Sequence, residues 1–557
     1  MNQSVITLKP VDWFIIIFYF VFIIAIGFYA KKFTKTGDDY FLAGRRNSSL
    51  IAGLAFLSAN LGSLEILGWT GATLKYGILV SHWYWIGAIP AMLFLALFMM
   101  PFYYHSKIKS IPGYLKHRFD ERTRVLSAIS FLFMTVLMSG INMYLMALVF
   151  RSVLGWDWHL SMWVSAITIA IYVTLGGLIS AIFTEVVQFF LIWFGLFLIP
   201  FLGLIDLGGF SAITANLDKA FLSLWSTTLD PADNPMGIHW LGMVLGLGWV
   251  LSFGYWTADF LVVQRAFSAK DLNAARMTPI IASFFKMALP FIIVVSGFVA
   301  LSLVKTGELN LLVDNGNINY DSALPVLMTR YFPSGLLGLG VTALLAGFMA
   351  GQAGNISAFN TVWTYDLYVL LRKGKVSDVS LLWMGRITTI VGVLLSVAIA
   401  YWVRQFPTIM DFIQAIFSWV NAPLFATLLL GMFWRKTSPA GAFWGLLCGM
   451  LTSFFLFLGM RSGVLDSVLH LITLSDDPSN MSKNLWQAWW GWFICLIVTI
   501  IITLFTKPKP ENELVGLVKG LASEGEEKLA RPPLYKNPYL WAGISFVVFV
   551  FLNIYFW

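Results

Sequence analysis

Apolar stretches of about 20 residues alternate with short polar segments along the whole chain. The stretches 13–30 and 486–505 contain no charged residue. In a bilayer such stretches form helices, because a helix satisfies its own backbone polar groups. The pattern predicts about fourteen transmembrane helices, near residues 11–31, 50–75, 79–104, 123–152, 158–176, 179–205, 240–264, 276–304, 335–371, 380–403, 407–433, 438–460, 486–506 and 537–556.

Composition narrows the class to an all-α polytopic membrane protein. Of the 557 residues, 59% are hydrophobic and 11% are charged, whereas soluble domains contain about 25% charged residues. The two cysteines, Cys448 and Cys495, lie in apolar stretches, which argues against disulfides and a thiolate metal site. We find no metal, phosphate-loop or nucleophile motif. The chain is therefore predicted not to be an enzyme and to need no cofactor.

Basic residues sort between alternate loops. Of the 36 Lys and Arg residues, 25 fall in one set of loops and 9 in the other. Since Lys- and Arg-rich loops face the cytoplasm, both termini are predicted to lie outside. The net charge of +8 then reflects these loops and not a nucleic-acid partner. The predicted location is the plasma membrane, which is the inner membrane in a Gram-negative source, and residues 1–557 form one transmembrane domain.

Two predicted spans contain breaks. Residues 58–65 insert Ser, Asn, Gly and Glu into the second span, and glycines interrupt the seventh span over residues 246–256. Unwound helices at membrane depth expose carbonyls and helix ends to ions and solutes. Breaks five spans apart are also expected from an inverted five-plus-five repeat. Elsewhere, Gly441, Gly445 and Gly449 form a small-residue face, which favours packing within the chain over a dimer interface.

Six short blocks then carry a family resemblance. In order along the chain they lie at 38–45 (DDYFLAGR), 58–60 (SAN), 111–119 (IPGYL and RF), 176–188 (GGL and TEVVQ), 255–265 (YWTAD and QR) and 431–436 (GMFWRK). Together they resemble the sodium:solute symporter family over roughly residues 10–460.

The resemblance implies a LeuT-type inverted repeat of ten core helices. The core would cover about 50–433, with a leading span at 11–31 and trailing spans at 438–556. It also implies sodium-coupled symport of a small polar organic solute by alternating access, with sodium and the lipid bilayer as further partners. The oligomeric state stays unspecified.

A sodium site is implied between the broken second span and the ninth span. Family alignment places it at the carbonyls of Ser58 and Leu61 and at Gly347, Ala350 and Gly351. The family usually has serines at the last two positions, so two hydroxyls are missing here. Ser58, Gln352, Ser357 or Glu185 is expected to replace them, or sodium binds differently. Glu185, where the family usually has Asp, is expected to lie near the ion, and a solvated helix-end acid is its alternative.

The solute site is implied by charges and polar groups inside the spans. Glu65 and Lys286 are expected to face one cavity, because an ionisable residue at membrane depth is usually functional. Their alternative is a structural ion pair. Glu65 replaces a glutamine and Tyr84 a glutamate of the sugar-transporting members, and Ser252 replaces an asparagine, so a plain hexose is disfavoured. The residues expected to contact the solute are Asn60, Glu65, Tyr84, Tyr255, Lys286 and Gln414.

Three alternatives share this fold. The absent hydroxyls leave room for proton coupling through Glu65 or Glu185, or for uncoupled transport. A non-transporting solute sensor would be expected to carry a fused signalling domain, and none follows Trp557. A membrane-embedded enzyme would need paired acid–base or metal ligands at one depth, which the sequence does not show.

Overall fold

The computed structural model describes residues 8–62, 64–215, 217–314, 317–373, 375–403, 409–521 and 533–557. This part of the chain is almost entirely helical. The α-helices are α1 (Pro10–Lys31), α2 (Gly37–Leu42), α3 (Ser49–Asn60), α4 (Trp69–Tyr76), α5 (Ile89–Phe94), α6 (Met100–His105), α7 (Ile111–Arg118), α8 (Glu121–Val149), α9 (Trp158–Asp206), α10 (Phe210–Thr214), α11 (Ser252–Ala258), α12 (Phe260–Phe267), α13 (Leu272–Lys305), α14 (Ala323–Tyr331), α15 (Leu336–Val362), α16 (Val369–Leu371), α17 (Asp378–Val403), α18 (Ile409–Phe433), α19 (Pro439–Arg461), α20 (Leu469–Thr473), α21 (Asn480–Phe505) and α22 (Pro538–Tyr555).

Shorter elements join these helices. The π-helical segments are Leu64–Gly68, Leu95–Met99, Phe150–Leu154, Gly242–Leu251 and Trp363–Tyr368. The 3-10 turns are Ala43–Arg45, Gly77–Trp83, Lys219–Phe221, Ser226–Thr228, Pro231–Asp233, Tyr320–Ser322, Asp466–Val468, Glu511–Glu513 and Leu534–Lys536. Two short strands, β1 (Val313–Asp314) and β2 (Asn317–Ile318), pair antiparallel.

The described helices confirm a multi-pass membrane protein. Ten are long and apolar enough to span a bilayer, and the count reaches 12 if each of two bent pairs is one span. Two shorter apolar helices, Ile89–His105 and Trp158–Ile171, coincide with the third and fifth predicted spans. The total of fourteen stays a prediction.

The first bent pair contains the predicted break of the second span. Helix Ser49–Asn60 and segment Leu64–Trp83 meet at 58°. Leu61, which ends α3, has ψ 47, so the helical repeat stops there, and Ser63 lies outside the described residues. Beyond it the chain resumes as the π-helical segment Leu64–Gly68. Polar insertion at residues 58–65 therefore gives the expected broken helix.

The second bent pair corrects the position of the other break. Gly242–Ala258 and Phe260–Phe267 meet at 49°, so the chain bends at Asp259 and not within 246–256. The glycines serve close packing instead. A β-carbon on Gly246 would lie 2.5 Å from the carbonyl oxygen of Leu485, and one on Gly254 would lie 2.6 Å from that of Asn421.

Gly177 divides α9 into two apolar halves. Its φ is 54°, in the left-handed region that side chains other than glycine rarely adopt. A β-carbon there would also lie 2.6 Å from the Tyr40 carbonyl oxygen. The boundary predicted between spans at 176–179 is thus a glycine kink packed on α2.

The small-residue face of α19 packs against α21, as predicted for contact within the chain. β-Carbons on Gly445 and Gly449 would lie 2.8 Å from the Cys495 carbonyl oxygen and 2.7 Å from the Gly491 carbonyl oxygen, respectively. Such backbone approach is possible only without side chains.

Two polar side chains fix helix ends that matter for the site. Asp12 on α1 accepts hydrogen bonds from the backbone N–H groups of Gly335 (2.7 Å) and Gly338 (2.8 Å) and so caps α15. At the far end of α18, buried Arg118 donates to the carbonyls of Gly431 (2.6 Å), Trp434 (3.0 Å) and Thr437 (3.2 Å). This carbonyl clamp ties α7 to the end of α18.

Candidate functional site

A central cavity lies where the broken helix α3–α4 faces α8, α11, α13, α15 and α18. Its volume is about 90 Å³. Ligand pockets usually measure about 300–1,000 Å³, so the cavity is contracted in this conformation. Five of the six predicted solute contacts line it: Asn60, Glu65, Tyr255, Lys286 and Gln414.

Lys286 is the centre of a polar chain inside this cavity. Its ammonium lies 2.5 Å from Glu65 Oε1 and donates to Asn60 Oδ1 at 2.6 Å. Asn60 in turn donates from Nδ2 to the Tyr255 hydroxyl at 2.9 Å. The Lys286 and Glu65 side chains are 3% and 12% exposed, so the pair is nearly sealed from solvent. Three helices, α3, α11 and α13, are thus joined through polar groups.

Aromatic rings surround the Lys286 ammonium. It lies 4.7 Å from the Tyr84 ring centroid and 5.3 Å from that of Trp256, which is cation–π geometry. Tyr84, the sixth predicted contact, is fully buried behind Lys286 and is not part of the cavity lining. The Tyr84 ring therefore contacts the Lys286 ammonium from outside the cavity lining.

The wall opposite Lys286 carries Gln414 and two tryptophans. The rings of Trp69 and Trp83 lie 4.5 Å apart, and Trp83 Nε1 donates to Gln414 Oε1 at 3.5 Å. The Tyr255 and Phe417 rings contact each other at a tilt of 49°, with centroids 5.1 Å apart. The cavity therefore combines flat aromatic faces with a few polar groups, as in sites that hold small polar ligands.

The residues of the implied sodium site come together at the break of α3. The Leu61 carbonyl oxygen would lie 2.9 Å from a β-carbon on Gly347. A β-carbon on Gly351 would lie 2.9 Å from Gly62 Cα and 2.9 Å from Asn142 Nδ2. At Gly351 the backbone of the break and Asn142 thus occupy the space that a side chain would fill, and Ala350 beside it is fully buried.

Glu185 is held by Arg265. The guanidinium donates from Nη2 to Glu185 Oε1 and from Nε to Oε2 at 3.2 Å, and neither side chain is exposed. Arg265, which directly follows the predicted span 240–264, is a buried residue in the last turn of α12. Because both carboxylate oxygens have a donor, Glu185 is the counter-ion of Arg265 and not a solvated helix-end acid.

Two of the proposed replacements for the missing hydroxyls have unpaired polar atoms. Ser58 Oγ and both amide atoms of Gln352 are buried without a hydrogen-bond partner among the described residues. Ser357, by contrast, donates to Gln264 Oε1 at 3.3 Å. Buried polar atoms without partners usually mark a bound ion or water. Among the described residues, no cluster of three His, Cys, Asp or Glu could hold a metal ion.

A second charged patch lies beside the cavity and was not predicted. Lys75 pairs with Asp411 at 3.4 Å, and the Tyr76 hydroxyl donates to the other Asp411 oxygen at 3.3 Å, so α4 is joined to α18. Asp321, in the loop between α13 and α14, faces this pair. Burial and the nearby Asp411 carboxylate raise the pKa of Asp321 to about 6. Met410 lines both the cavity and this patch.

Sequence reasoning missed the aromatic and sulfur-containing parts of the site. Trp69, Trp83, Trp256, Phe417 and Met410 line the cavity. The chain contains 24 Trp, 48 Phe and 21 Met residues, so no pattern marks these five among the others. Asp411 lies near the start of the predicted span 407–433 and resembles a boundary charge, and its partner Lys75 is 336 positions away in the sequence.

Comparison with known proteins places the chain among transporters. The sodium:solute symporter family matches residues 40–449. The sodium/glucose cotransporter 4 of Danio rerio is 26% identical over 96% of this chain and 84% of its own length. The sodium/myo-inositol cotransporter 2 of Homo sapiens is 27% identical over 91% of this chain and 78% of its own length. A solved structure, the outward-open state of a Na⁺-coupled sialic acid symporter, superposes with a TM-score of 0.74 at 21% identity, covering 90% of this chain and 98% of that one.

Proposed function

The chain belongs to the sodium:solute symporter family, and from this premise we propose that its solute binds in the central cavity and separates Lys286 from Glu65. The activity itself is sodium-coupled symport of a solute across a membrane. The observation that carries the proposal is the Lys286–Glu65 contact of 2.5 Å at the break of α3. A buried pair that also lines a cavity can be opened by a ligand that replaces both partners.

The two charges restrict the solute class. A solute that separates them must accept hydrogen bonds from the ammonium and donate to the carboxylate, because a buried charge without a partner is costly. Neutral polyhydroxyl compounds and zwitterions do both. A simple anion would satisfy Lys286 but leave Glu65 facing a like charge. We therefore assign a neutral polyhydroxylated or zwitterionic solute.

Currents from proteoliposomes on a solid support test this assignment. Sugars, polyols, amino acids and carboxylates are applied under an inward sodium gradient. We expect sodium-dependent currents with a polyol or a zwitterion and none with simple carboxylates. Glu65→Gln and Lys286→Met should each abolish the current, whereas Glu308→Gln, on an exposed ion pair, should not. Near-normal uptake by both cavity variants would contradict the proposal.

We also propose that sodium binds at the break of α3. Its ligands would be the carbonyls of Ser58 and Leu61, beside Gly347, Ala350 and Gly351, with Ser58 Oγ and the Gln352 amide oxygen replacing the family's serine hydroxyls. The unpaired atoms of Ser58 and Gln352 support this set. Sodium prefers such oxygen ligands, as other hard cations do.

The sodium dependence of the current tests this site. Ser58→Ala and Gln352→Leu should each raise the half-saturating sodium concentration several-fold. Ser357→Ala, which removes a hydroxyl already bonded to Gln264, is the matched control and should leave it unchanged. Equal half-saturating sodium concentrations in the wild type and the three variants would exclude Ser58 and Gln352 as ligands.

Proton coupling is the alternative within transport. Glu185 is a poor proton acceptor because Arg265 occupies both of its oxygens, so Glu65 would be the acceptor. Uptake driven by a proton gradient without sodium would favour it.

We further infer the finer architecture from the same elements. The bent pairs, five spans apart, support the five-plus-five repeat, and the two shorter apolar helices support fourteen spans. The distribution of basic loops supports a location in the plasma membrane with both termini on the outer, non-cytoplasmic side.

A further inference from the structure

A second cavity, unconnected with the transport site, lies where three helix ends meet. Its lining includes Phe102 and His105 of α6, Leu272 and Arg276 of α13, Val518 and Lys519 of the segment after α21, and Tyr539 of α22. We call it the Arg276 pocket. Its volume is about 400 Å³, within the range of ligand pockets.

The pocket presents cations without counter-ions. No Asp or Glu is among its described lining residues. Arg276 makes no hydrogen bond or ion pair with the described chain, and its buried Nε has no partner. Its guanidinium lies 5.8 Å from the Tyr539 ring, and the Lys519 ammonium lies 5.9 Å from the Phe433 ring. By contrast, the buried arginines Arg118, Arg124 and Arg265 all have carbonyl or carboxylate acceptors.

An anionic oxygen ligand would complete this site. A guanidinium donor left unpaired in a buried position is costly, and phosphate oxygens match its planar fork. Phe102, Leu272 and Val518 supply apolar walls, and His105 adds an imidazole to the polar side. A ligand with a phosphate and a hydrophobic part fits both halves better than a free ion.

The position of the pocket indicates the source of that ligand. The ends of α6, α13 and α22 lie on the side predicted to face the cytoplasm, where anionic lipids concentrate. Beside the pocket, Phe98 and Leu540 are 49% and 43% exposed, and α22 packs against the Leu95–Met99 segment. This surface can carry acyl chains next to the headgroup.

We propose that the Arg276 pocket binds the phosphate of an anionic phospholipid headgroup through Arg276 and Lys519. The lipid would join α13, which carries Lys286, to the trailing helix α22.

Native mass spectrometry of the delipidated full chain tests the proposal. Phosphatidylglycerol and phosphatidylcholine with the same acyl chains are added separately. We expect the wild type to retain phosphatidylglycerol in preference to phosphatidylcholine. The single variants Arg276→Gln and Lys519→Gln should each retain about fivefold less phosphatidylglycerol. Arg372→Gln is the matched control, since Arg372 stacks on Tyr368 at 5.7 Å outside the pocket and should bind lipid as the wild type does.

Folding and ligand source are checked in the same experiment. Size-exclusion profiles and melting temperatures without lipid should match between Arg276→Gln and Arg372→Gln. Wild-type retention of phosphatidylglycerol by both pocket variants, or equal retention of the two lipids, overturns the proposal. Displacement of phosphatidylglycerol by millimolar inorganic phosphate would instead assign the pocket to a soluble phosphate compound and overturn the lipid assignment.

Discussion

At the scale of single residues, the Glu185–Arg265 pair stands apart because neither side chain is exposed. Removing one member of such a pair leaves a buried charge without a partner, which typically costs about 3–5 kcal/mol. Replacing both members leaves no buried charge. The pair is therefore a stability element that holds α9 and α12 together.

Glu185→Gln and Arg265→Gln are each expected to lower the melting temperature of the detergent-purified protein, and the double variant should recover much of the loss. Glu308→Gln removes a partner from an ion pair that is 31% and 48% exposed, and should change stability little. Thermal unfolding of the four proteins distinguishes these effects. If Glu185→Gln or Arg265→Gln had the same melting temperature as Glu308→Gln, the pair would have no structural role.

Charge at membrane depth is what makes residues of this site predictable. Glu65 and Lys286 stand out because the surrounding sequence is apolar, and in the structure they form an ion pair that lines the cavity. Arg265 could not be assigned in the same way, because it follows a span end and resembles a loop cation. Only the fold places Glu185 and Arg265, 80 positions apart, in contact.

At the scale of elements, the loop Tyr320–Ser322 lies on α4 and α18 beside a charged patch. The Tyr320 carbonyl oxygen would be 2.7 Å from a β-carbon on Gly71, so the contact is close. Asp321 there faces Asp411 of α18 and Lys75 of α4, and its pKa is raised from 3.8 to about 6, first by burial and then by Asp411. The folded state therefore binds the proton of Asp321 more tightly than the unfolded state does.

The sign of the pH dependence follows from this shift. The stabilising contribution of protonated Asp321 is fully present below the unfolded pKa of 3.8 and is lost as pH rises through about 6. Asp321→Asn should therefore melt at a higher temperature than the wild type near pH 8, and the difference should disappear near pH 4. Melting curves across this range test it, with the exposed Asp476→Asn as control. A difference that does not change with pH would contradict the assignment.

The breaks show how far helical elements can be predicted from polarity. Asn60 and Glu65 mark the first break because polar groups interrupt an apolar helix. The second break lies at Asp259, where an N-cap side chain accepts from Leu261 N–H at 2.9 Å and starts α12. The glycines of 246–256 indicated a break, but they permit contact with α18 and α21, and sequence alone does not separate these two uses of glycine.

At the scale of the whole molecule, the distribution of basic loops predicts the orientation of every span. Because the cytoplasmic loops retain Lys and Arg, Lys373 should lie inside and Asp476 outside. Single cysteines at these positions, in a chain with Cys448 and Cys495 replaced by alanine, report the side. We expect a membrane-impermeant maleimide to label Asp476→Cys in intact cells, and Lys373→Cys only after permeabilisation. The reverse pattern would invert the topology.

The carbonyl clamp of Arg118 has a mechanical consequence for transport. It fixes one end of α18, whereas at the other end Asp411 contacts Lys75 and Tyr76 through its carboxylate and Asn484 through its carbonyl. A helix of 25 residues is about 37 Å long. The clamp therefore holds α18 at a point about 37 Å from the turn that carries Asp411. A tilt of about 10° about the clamp would move the Asp411 end by about 6 Å, further than these contacts can stretch. Any such rotation of α18 would therefore have to break the Asp411 contacts beside the cavity.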